Sequence, residues 1–217
     1  MQLTSVNLGV ERAMPRVKES GKTGIYKLPV SEEVQVTALG LPGDVICDVK
    51  HHGGPDQAVY VYGAGDYAWW SQELGYELAP GTFGENLTIS ELESGPFHIG
   101  DRLLVGTVIL EVTSARIPCG TLAARMGDPS FVKRYRQAER PGLYCRVIQE
   151  GQVQAGDTVK VDLYRGETIT IQEMFRAYYE SKPSLETIQR HLAAPIAVRA
   201  RRDWQEKLAK HSSSKTG

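Results

Sequence analysis

The sequence has few cysteines and no pattern that would pair them. Cys47, Cys119 and Cys145 are an odd number of widely spaced thiols, and no C-x-x-C occurs in the 217 residues. A zinc ribbon and a thioredoxin-type redox pair both need that pattern. The sequence therefore excludes both classes, and we expect reduced thiols.

Long apolar runs and an excess of basic residues are also missing. No stretch approaches the roughly 20 apolar residues of a membrane-spanning helix. The first residues, Met1–Asn7, lack a basic region followed by an apolar one. Lys and Arg number 25 against 26 Asp and Glu, and a formal net charge of -1 argues against general nucleic-acid binding. We expect a cytoplasmic protein that binds neither membranes nor nucleic acid.

Short strand patterns separated by tight turns fill most of the chain. Gly100-Asp101 and Gly156-Asp157 each precede an alternating apolar segment. Repeated short strands of this kind favour a closed barrel or a sandwich. We predict a mainly β domain over residues 1–164, a closed β-barrel with a few short helices. In one of these helices Asp66 is the expected N-cap of residues 67–74.

The pattern becomes helical after residue 164. Thr170-x-x-Glu173 is a capping box, a second helix begins at Ser184, and a third runs from about residue 198 to 210. We predict a small three-helix bundle over 165–211 and a disordered, Ser-rich tail at 212–217. The basic side chains of the third helix form either a solvated face or a docking surface for an acidic partner.

The stretch Arg116-Ile-Pro-Cys119-Gly120 carries the strongest chemical signal. A strand at 107–113 precedes it, and the residues from Thr121 onward read as a short helix. A thiol near a helix N-terminus and close to an arginine has a lowered pKa. The stretch is suited to holding a thiolate, or an anion beside one. The alternative is a buried cysteine that acts as a small hydrophobic residue.

Polar residues in the first third of the chain are further candidates. On a strand at 23–30, Thr23 and Lys27 share one face, where an inward lysine would meet an anion; a solvated lysine is the alternative. The adjacent His51 and His52 point to opposite faces, so only one of them would reach a given site. Zinc held by the two histidines and Cys119 is disfavoured, because the spacing is not diagnostic and the side chains diverge.

A glycine-rich segment at 81–89 adds one more candidate loop. Gly81 and Gly84 flank Phe83, and Glu85-Asn86 follow directly before a short strand. Glycine lets a backbone approach a ligand closely, so the segment is either a ligand-contacting loop or a plain turn.

Taken together, these segments resemble the MOSC domain family, named for the C-terminal domain of molybdenum cofactor sulfurase, and most closely its bacterial YiiM-like branch. They occur in the family's order over residues 1–163, and the last fifth of the chain resembles the three-helix domain of that branch. The segments are Thr23-Gly-Ile-Tyr-Lys-Leu-Pro-Val, Leu41-Pro-Gly-Asp, His52-Gly-Gly-Pro-Asp, Phe83-Gly-Glu-Asn-Leu, Gly100-Asp, Arg116-Ile-Pro-Cys119 and Gly142-Leu-Tyr-Cys-Arg-Val.

The resemblance implies a β-barrel-like fold with a pocket for the molybdenum cofactor, a pterin that carries a phosphate and a dithiolene-bound metal. It makes Cys119 the protein ligand of molybdenum and the catalytic cysteine. On chemical grounds Lys27 and Arg116 would neutralise the anionic cofactor. The remaining positions would hydrogen-bond the pterin or the phosphate: Thr23, where many members have serine, His52 and Asn86.

The activity that the resemblance implies is reduction of N-hydroxylated compounds, such as hydroxylaminopurines and hydroxylamines. Electrons would come from a separate reductase, because the chain has no flavin, NAD or iron–sulfur motif of its own. Two alternatives stay open. One is a protein that carries the cofactor, or a sulfur on Cys119, without turnover; the other is a metal-free enzyme with Cys119 as nucleophile and a histidine as base.

Overall fold

A computed structural model describes residues 1–14, 21–48 and 52–213, except for the side chain of residue 213. His51 and the last four residues of the predicted tail, 214–217, lie outside the described residues. The tail's first two residues belong to the final helix.

Eight strands of the described chain form one mixed sheet in the order β12-β8-β9-β10-β6-β7-β1-β4. Within it β6 and β7 run parallel, and the other neighbours are antiparallel. Two small pairs, β2 with β3 and β5 with β11, lie outside this sheet. The strands are β1 Leu3–Gly9, β2 Arg12–Ala13, β3 Lys22–Thr23, β4 Lys27–Val30, β5 Val34–Val36, β6 Val59–Gly63, β7 Leu87–Ile89, β8 Arg102–Val105, β9 Val108–Ala115, β10 Leu143–Gln149, β11 Gly151–Val153 and β12 Val159–Asp162.

The predicted closed barrel is wrong, although the sheet curls far towards closure. A barrel would need the outer edge of β1 to pair with β12 along its length. The second half of that edge is taken by β4, which pairs with Val6–Gly9. In the part of the chain that the structure describes, contact with the β12 side is limited to the first three residues: the bridge from Gln2 to Thr158, and backbone hydrogen bonds of Met1 and Leu3 with residues 156–159. The sheet therefore stays open.

Helices contribute as much as strands, at about 30% and 29% of the described residues, so the fold is mixed rather than mainly β. The helices are α1 Ala64–Leu74, α2 Gly120–Met126, α3 Phe131–Ala138, α4 Ile171–Tyr178, α5 Leu185–Ala193 and α6 Val198–Ser213, with a 3₁₀ turn at Pro55–Gln57. No helix in the described ranges combines the length and apolarity that crossing a membrane requires.

Two predicted helix starts had different outcomes. The capping box of α4 is confirmed, since Thr170 and Glu173 exchange both of its hydrogen bonds. Asp66 is not the N-cap of α1, because the helix begins two residues earlier and Asp66 lies in its first turn. Its carboxylate points inward to the guanidinium of Arg140, at 2.8 Å, and to the backbone N–H of Ser94.

A cluster of aromatic rings beneath the sheet fixes the loop at 81–86. Phe83 is fully buried, and its ring lies 4.7 Å from that of Tyr62 and 5.8 Å from that of Trp70. Large aromatic side chains contribute strongly to core stability because they bury so much area. The packing of Phe83 therefore anchors the residues that follow it, Glu85 and Asn86.

The last two helices pack on each other through Trp204, whose ring lies 4.0 Å from that of His191. They join the sheet through buried apolar side chains and through polar contacts. The N–H of Val198, at the start of α6, donates to Asp56 Oδ2 at 2.6 Å, and Arg146 pairs with the same carboxylate. The predicted boundary between residues 164 and 165 stays a prediction.

Candidate functional site

One cleft, of about 630 Å³ including its mouth, contains every residue predicted for the site. The segment 22–27 and the loop at 45–48 form part of its wall, and the turn between β9 and α2 closes it opposite. Predicted residues that are up to 96 positions apart in the chain, Thr23 and Cys119, thus line one space. The predicted residues in its lining are Thr23, Lys27, His52, Asn86, Arg116 and Cys119.

Cys119 is the N-cap residue of α2, as the sequence predicted, with extended backbone at φ -133° and ψ 171°. Its thiol is partly buried, and that burial opposes ionisation. A hydrogen bond from His52, the charge of Arg116 and the backbone N–H of Leu122 act in the other direction and lower the pKa of Cys119 to about 5. The site therefore holds a thiolate at neutral pH.

His52 connects this thiolate to a tyrosine that the sequence did not single out. Its Nδ1 lies 3.3 Å from the hydroxyl of Tyr144, on β10. Because Nδ1 is engaged there, we assign the hydrogen bond with the Cys119 thiol to Nε2. Tyr144 is nine-tenths buried and packs 5.0 Å from the ring of Tyr60, which fixes the direction of its hydroxyl.

Arg116 brings a buried positive charge to the cleft. Its guanidinium lies over the ring of Tyr60 at 5.1 Å and donates a hydrogen bond to the carbonyl of Phe83. A guanidinium stays protonated in proteins, so this charge is permanent. Described carboxylates form no ion pair with it. The charge is therefore available to the Cys119 thiolate and to an anionic ligand.

Lys27 is the inward lysine of the prediction, but the anion it meets is a carboxylate of the protein itself, and its role towards a cofactor stays a prediction. Its Nζ lies 2.5 Å from Asp44 Oδ2, and both side chains are almost completely buried. Burial lowers the pKa of Lys27, and the Asp44 carboxylate opposes that effect. Because the ammonium of Lys27 is paired with Asp44, Arg116 rather than Lys27 gives the cleft an unpaired positive charge.

Asp44 also holds the side chain of Asn86 and the end of β1. Its Oδ2 accepts from Asn86 Nδ2 at 2.9 Å, and its Oδ1 accepts from the N–H of Gly9 at 2.8 Å. Asn86 in turn accepts the N–H of Tyr60. Both ends of this amide are engaged, so Asn86 chiefly positions the wall of the cleft. In the sequence, this carboxylate belongs to Leu41-Pro-Gly-Asp44, one of the segments that carry the family resemblance.

Three polar atoms in the cleft lining are buried without a hydrogen-bond partner among the described residues. They are Gln57 Oε1, Arg116 Nε and Thr121 Oγ1. Unmet buried donors and acceptors cost free energy, and a polar ligand would offset that cost. Neither Gln57 nor Thr121 stands out in the sequence, because their neighbours in the cleft come from distant segments.

The donor set fits the molybdenum cofactor better than a chelated ion. A thiolate suits a soft metal, and the unmet polar atoms beside Arg116 suit a polar, anionic organic group. Within the described ranges, no cluster of three or more His, Cys, Asp or Glu side chains is arranged to hold a metal ion. Thr23, whose hydroxyl accepts the N–H of Ile25, retains an O–H that can donate into the cleft.

Fold and cleft together define an α/β protein that presents a thiolate beside a permanent cation in one cleft. The MOSC domain model matches residues 48–160, which include His52, Arg116 and Cys119. The chain belongs to the MOSC domain family.

Relatives with this domain occur in bacteria and fungi. The uncharacterized protein YflK of Bacillus subtilis is 35% identical over 87% of this chain and 86% of its own length. Protein YiiM of Escherichia coli is 31% identical over 77% of this chain and 75% of its own. A protein named "Reductase" from Gibberella moniliformis is 33% identical over 64% of this chain, which is only 25% of that protein. The crystal structure of YiiM from Geobacillus stearothermophilus matches 95% of this chain and 98% of its own, with TM-score 0.79 and 27% identity.

The low pKa of Cys119 predicts the pH dependence of its alkylation in cofactor-free protein. Thiolate is present above the lowered pKa of about 5 and disappears as the pH falls through it. Iodoacetamide should therefore modify Cys119 at a nearly constant rate between about pH 6 and 8. Over the same range the alkylation rate of an ordinary thiol rises roughly tenfold with each pH unit. Peptide mass spectrometry separates Cys119 from Cys47 and Cys145. His52→Phe should move the midpoint upwards, and an ordinary profile for the wild type would refute the thiolate.

The buried pair of Lys27 and Asp44 predicts a non-additive effect on stability. Asp44→Asn keeps the shape but leaves the ammonium without its counter-charge, so we expect a loss of about 3 kcal/mol in unfolding free energy. Adding Lys27→Met to Asp44→Asn removes the unpaired charge and should recover at least about 1 kcal/mol of the unfolding free energy. Urea denaturation of the wild type, the two single variants and the double variant measures this. Strictly additive losses would show that the pair is not coupled.

Proposed function

We propose that the protein binds the molybdenum cofactor in this cleft and reduces N-hydroxylated compounds, hydroxylaminopurines and hydroxylamines among them, with electrons from a separate reductase. The observation that carries the proposal is the Cys119 thiolate beside Arg116, in a lining with unmet polar atoms. Membership of the MOSC family supports it, as does the name of the fungal relative.

The residues of the cleft divide the work of holding such a group. Cys119 supplies a soft thiolate ligand for the metal. Arg116 offsets the negative charge that the thiolate and the cofactor bring together. Thr23 and Gln57 offer a hydroxyl and an amide to the polar parts of the ligand. Asp44, through Lys27 and Asn86, keeps the opposite wall in place.

The reaction consumes an electron pair and two protons. The N–O bond of the hydroxylamine breaks, the nitrogen becomes an amine, and the oxygen leaves as water. When bound, the cofactor supplies the electron pair and accepts its replacement from the partner reductase. The protein must deliver protons to a site away from bulk water, and His52 is the titratable side chain in contact with Cys119.

His52 is suited to that delivery because its two ring nitrogens have different neighbours. Nδ1 meets the hydroxyl of Tyr144, whereas Nε2 is directed to the thiolate. His52 is partly exposed, so a proton that leaves Nε2 towards the departing oxygen can be replaced on the imidazole from solvent. Tyr144 keeps the ring in the orientation that this transfer needs.

Turnover of a defined substrate tests the proposal. Protein produced in a host that makes the cofactor should reduce 6-hydroxylaminopurine to adenine with a supplied flavoprotein reductase and NADPH, followed by chromatography. Cys119→Ser should lower the rate by at least about 100-fold while the circular dichroism spectrum stays unchanged, because the soft ligand is gone. Cys145→Ala, in the core and outside the cleft lining, is the matched control and should keep its activity.

Two other results would redirect the assignment. Cofactor bound stoichiometrically without reduction of any N-hydroxylated compound would favour the carrier alternative. Full activity of Cys119→Ser would remove this thiol from the reaction and contradict the proposal.

A further inference from the structure

Thr121 differs from the other buried threonines of the described chain. Its residue is only 5% exposed, and its Oγ1 has no hydrogen-bond partner. The other buried threonine hydroxyls are all engaged: those of Thr23, Thr82, Thr88 and Thr113 bond to Ile25, Ala79, Glu85 and Asp56 respectively. A hydroxyl can turn about its Cβ–Oγ bond to find a partner, so its isolation here shows that the protein itself offers none.

Among the residues that line the cleft, the unmet group closest to it in sequence is Arg116 Nε. Arg116 is also 5% exposed, lines the same cleft, and has an Nε without a partner in the described ranges. The two residues flank Cys119, three positions before it and two after it. Arg116, Cys119 and Thr121 all line the same cleft, so one ligand in that cleft can meet both unmet groups.

The chemistry of these groups selects one kind of ligand atom. Arg116 Nε can only donate a hydrogen bond, so its partner must be an acceptor. The charge on the guanidinium favours an anionic oxygen, and hydrogen bonds between charged partners are stronger than neutral ones. A hydroxyl can donate to the same kind of oxygen. Phosphate-type oxyanions present several such oxygens at once.

We propose that Thr121 is a ligand-binding residue whose hydroxyl donates to a phosphate-type oxyanion held by Arg116. The proposal rests on the proposed function insofar as that oxyanion is the phosphate of the cofactor. Free inorganic phosphate has the same chemistry and is the other source. Two sets of measurements separate them, and both use Thr121→Val, which keeps the shape, and Thr121→Ser, which keeps the hydroxyl.

The first measurement uses the cofactor-free chain and inorganic phosphate. Phosphate bound beside Cys119 should slow alkylation of this thiol by neutral iodoacetamide, with sodium chloride matching the ionic strength. Thr121→Val should need about tenfold more phosphate for half-protection than the wild type, because one hydrogen bond to a charged group is lost. Thr121→Ser should behave like the wild type.

The second measurement uses protein from a cofactor-producing host and records bound pterin per chain by fluorescence after oxidation, independent of activity. Thr121→Val should retain several-fold less pterin than Thr121→Ser if the cofactor supplies the oxyanion. Thr121→Ala replaces Thr121→Val should the latter fail to fold, as judged by its melting curve.

The two assays together decide whether Thr121 binds the oxyanion and which source supplies it. A difference between the valine and serine variants in the phosphate assay, the pterin assay or both supports the role of Thr121 and names the source. Equal behaviour in both assays overturns it. Absence of pterin from every variant and from the wild type contradicts the proposed function, while the phosphate assay still decides on Thr121.

Discussion

The carboxylate of Asp44 is the contact on which the cleft depends. It joins the end of β1, the lysine of β4 and the amide of Asn86 at 2.8, 2.5 and 2.9 Å. These three partners come from separate parts of the chain, and each would be a costly buried polar group without the carboxylate. One side chain thus decides the position of a whole wall. The opposite wall is free to carry the reactive groups.

The groups around Cys119 in that wall favour negative charge. Burial alone would keep Cys119 protonated, yet His52, Arg116 and the backbone N–H of Leu122 together bring its pKa to about 5. Arg116 keeps a permanent charge in the interior, where it is balanced by the thiolate it helps to form. A thiolate of lowered pKa beside a histidine would also suit a nucleophile. The unmet polar atoms of the lining and membership of the MOSC family favour a cofactor site over a metal-free nucleophile.

Local chemistry decides which parts of this molecule the sequence could predict. Cys119 at the start of α2 and the capping box of Thr170 and Glu173 depend on neighbours within a few residues, and the structure has both. Partners far along the chain were not predictable: Lys27 meets Asp44, and Asp66 turns to Arg140 instead of capping α1. The same limit explains the barrel, because β4 occupies the edge that closure would need. Thr121 and Gln57 become notable only in the folded protein, where a buried polar atom of each has no hydrogen-bond partner among the described residues.

Metal analysis by mass spectrometry, together with pterin fluorescence, tests most directly whether this thiolate and arginine hold the molybdenum cofactor, on protein purified from a host that makes it. We expect close to one molybdenum and one pterin per chain for the wild type, and loss of the molybdenum from Cys119→Ser at unchanged fold. Wild-type protein that carries neither molybdenum nor pterin would contradict the proposed function.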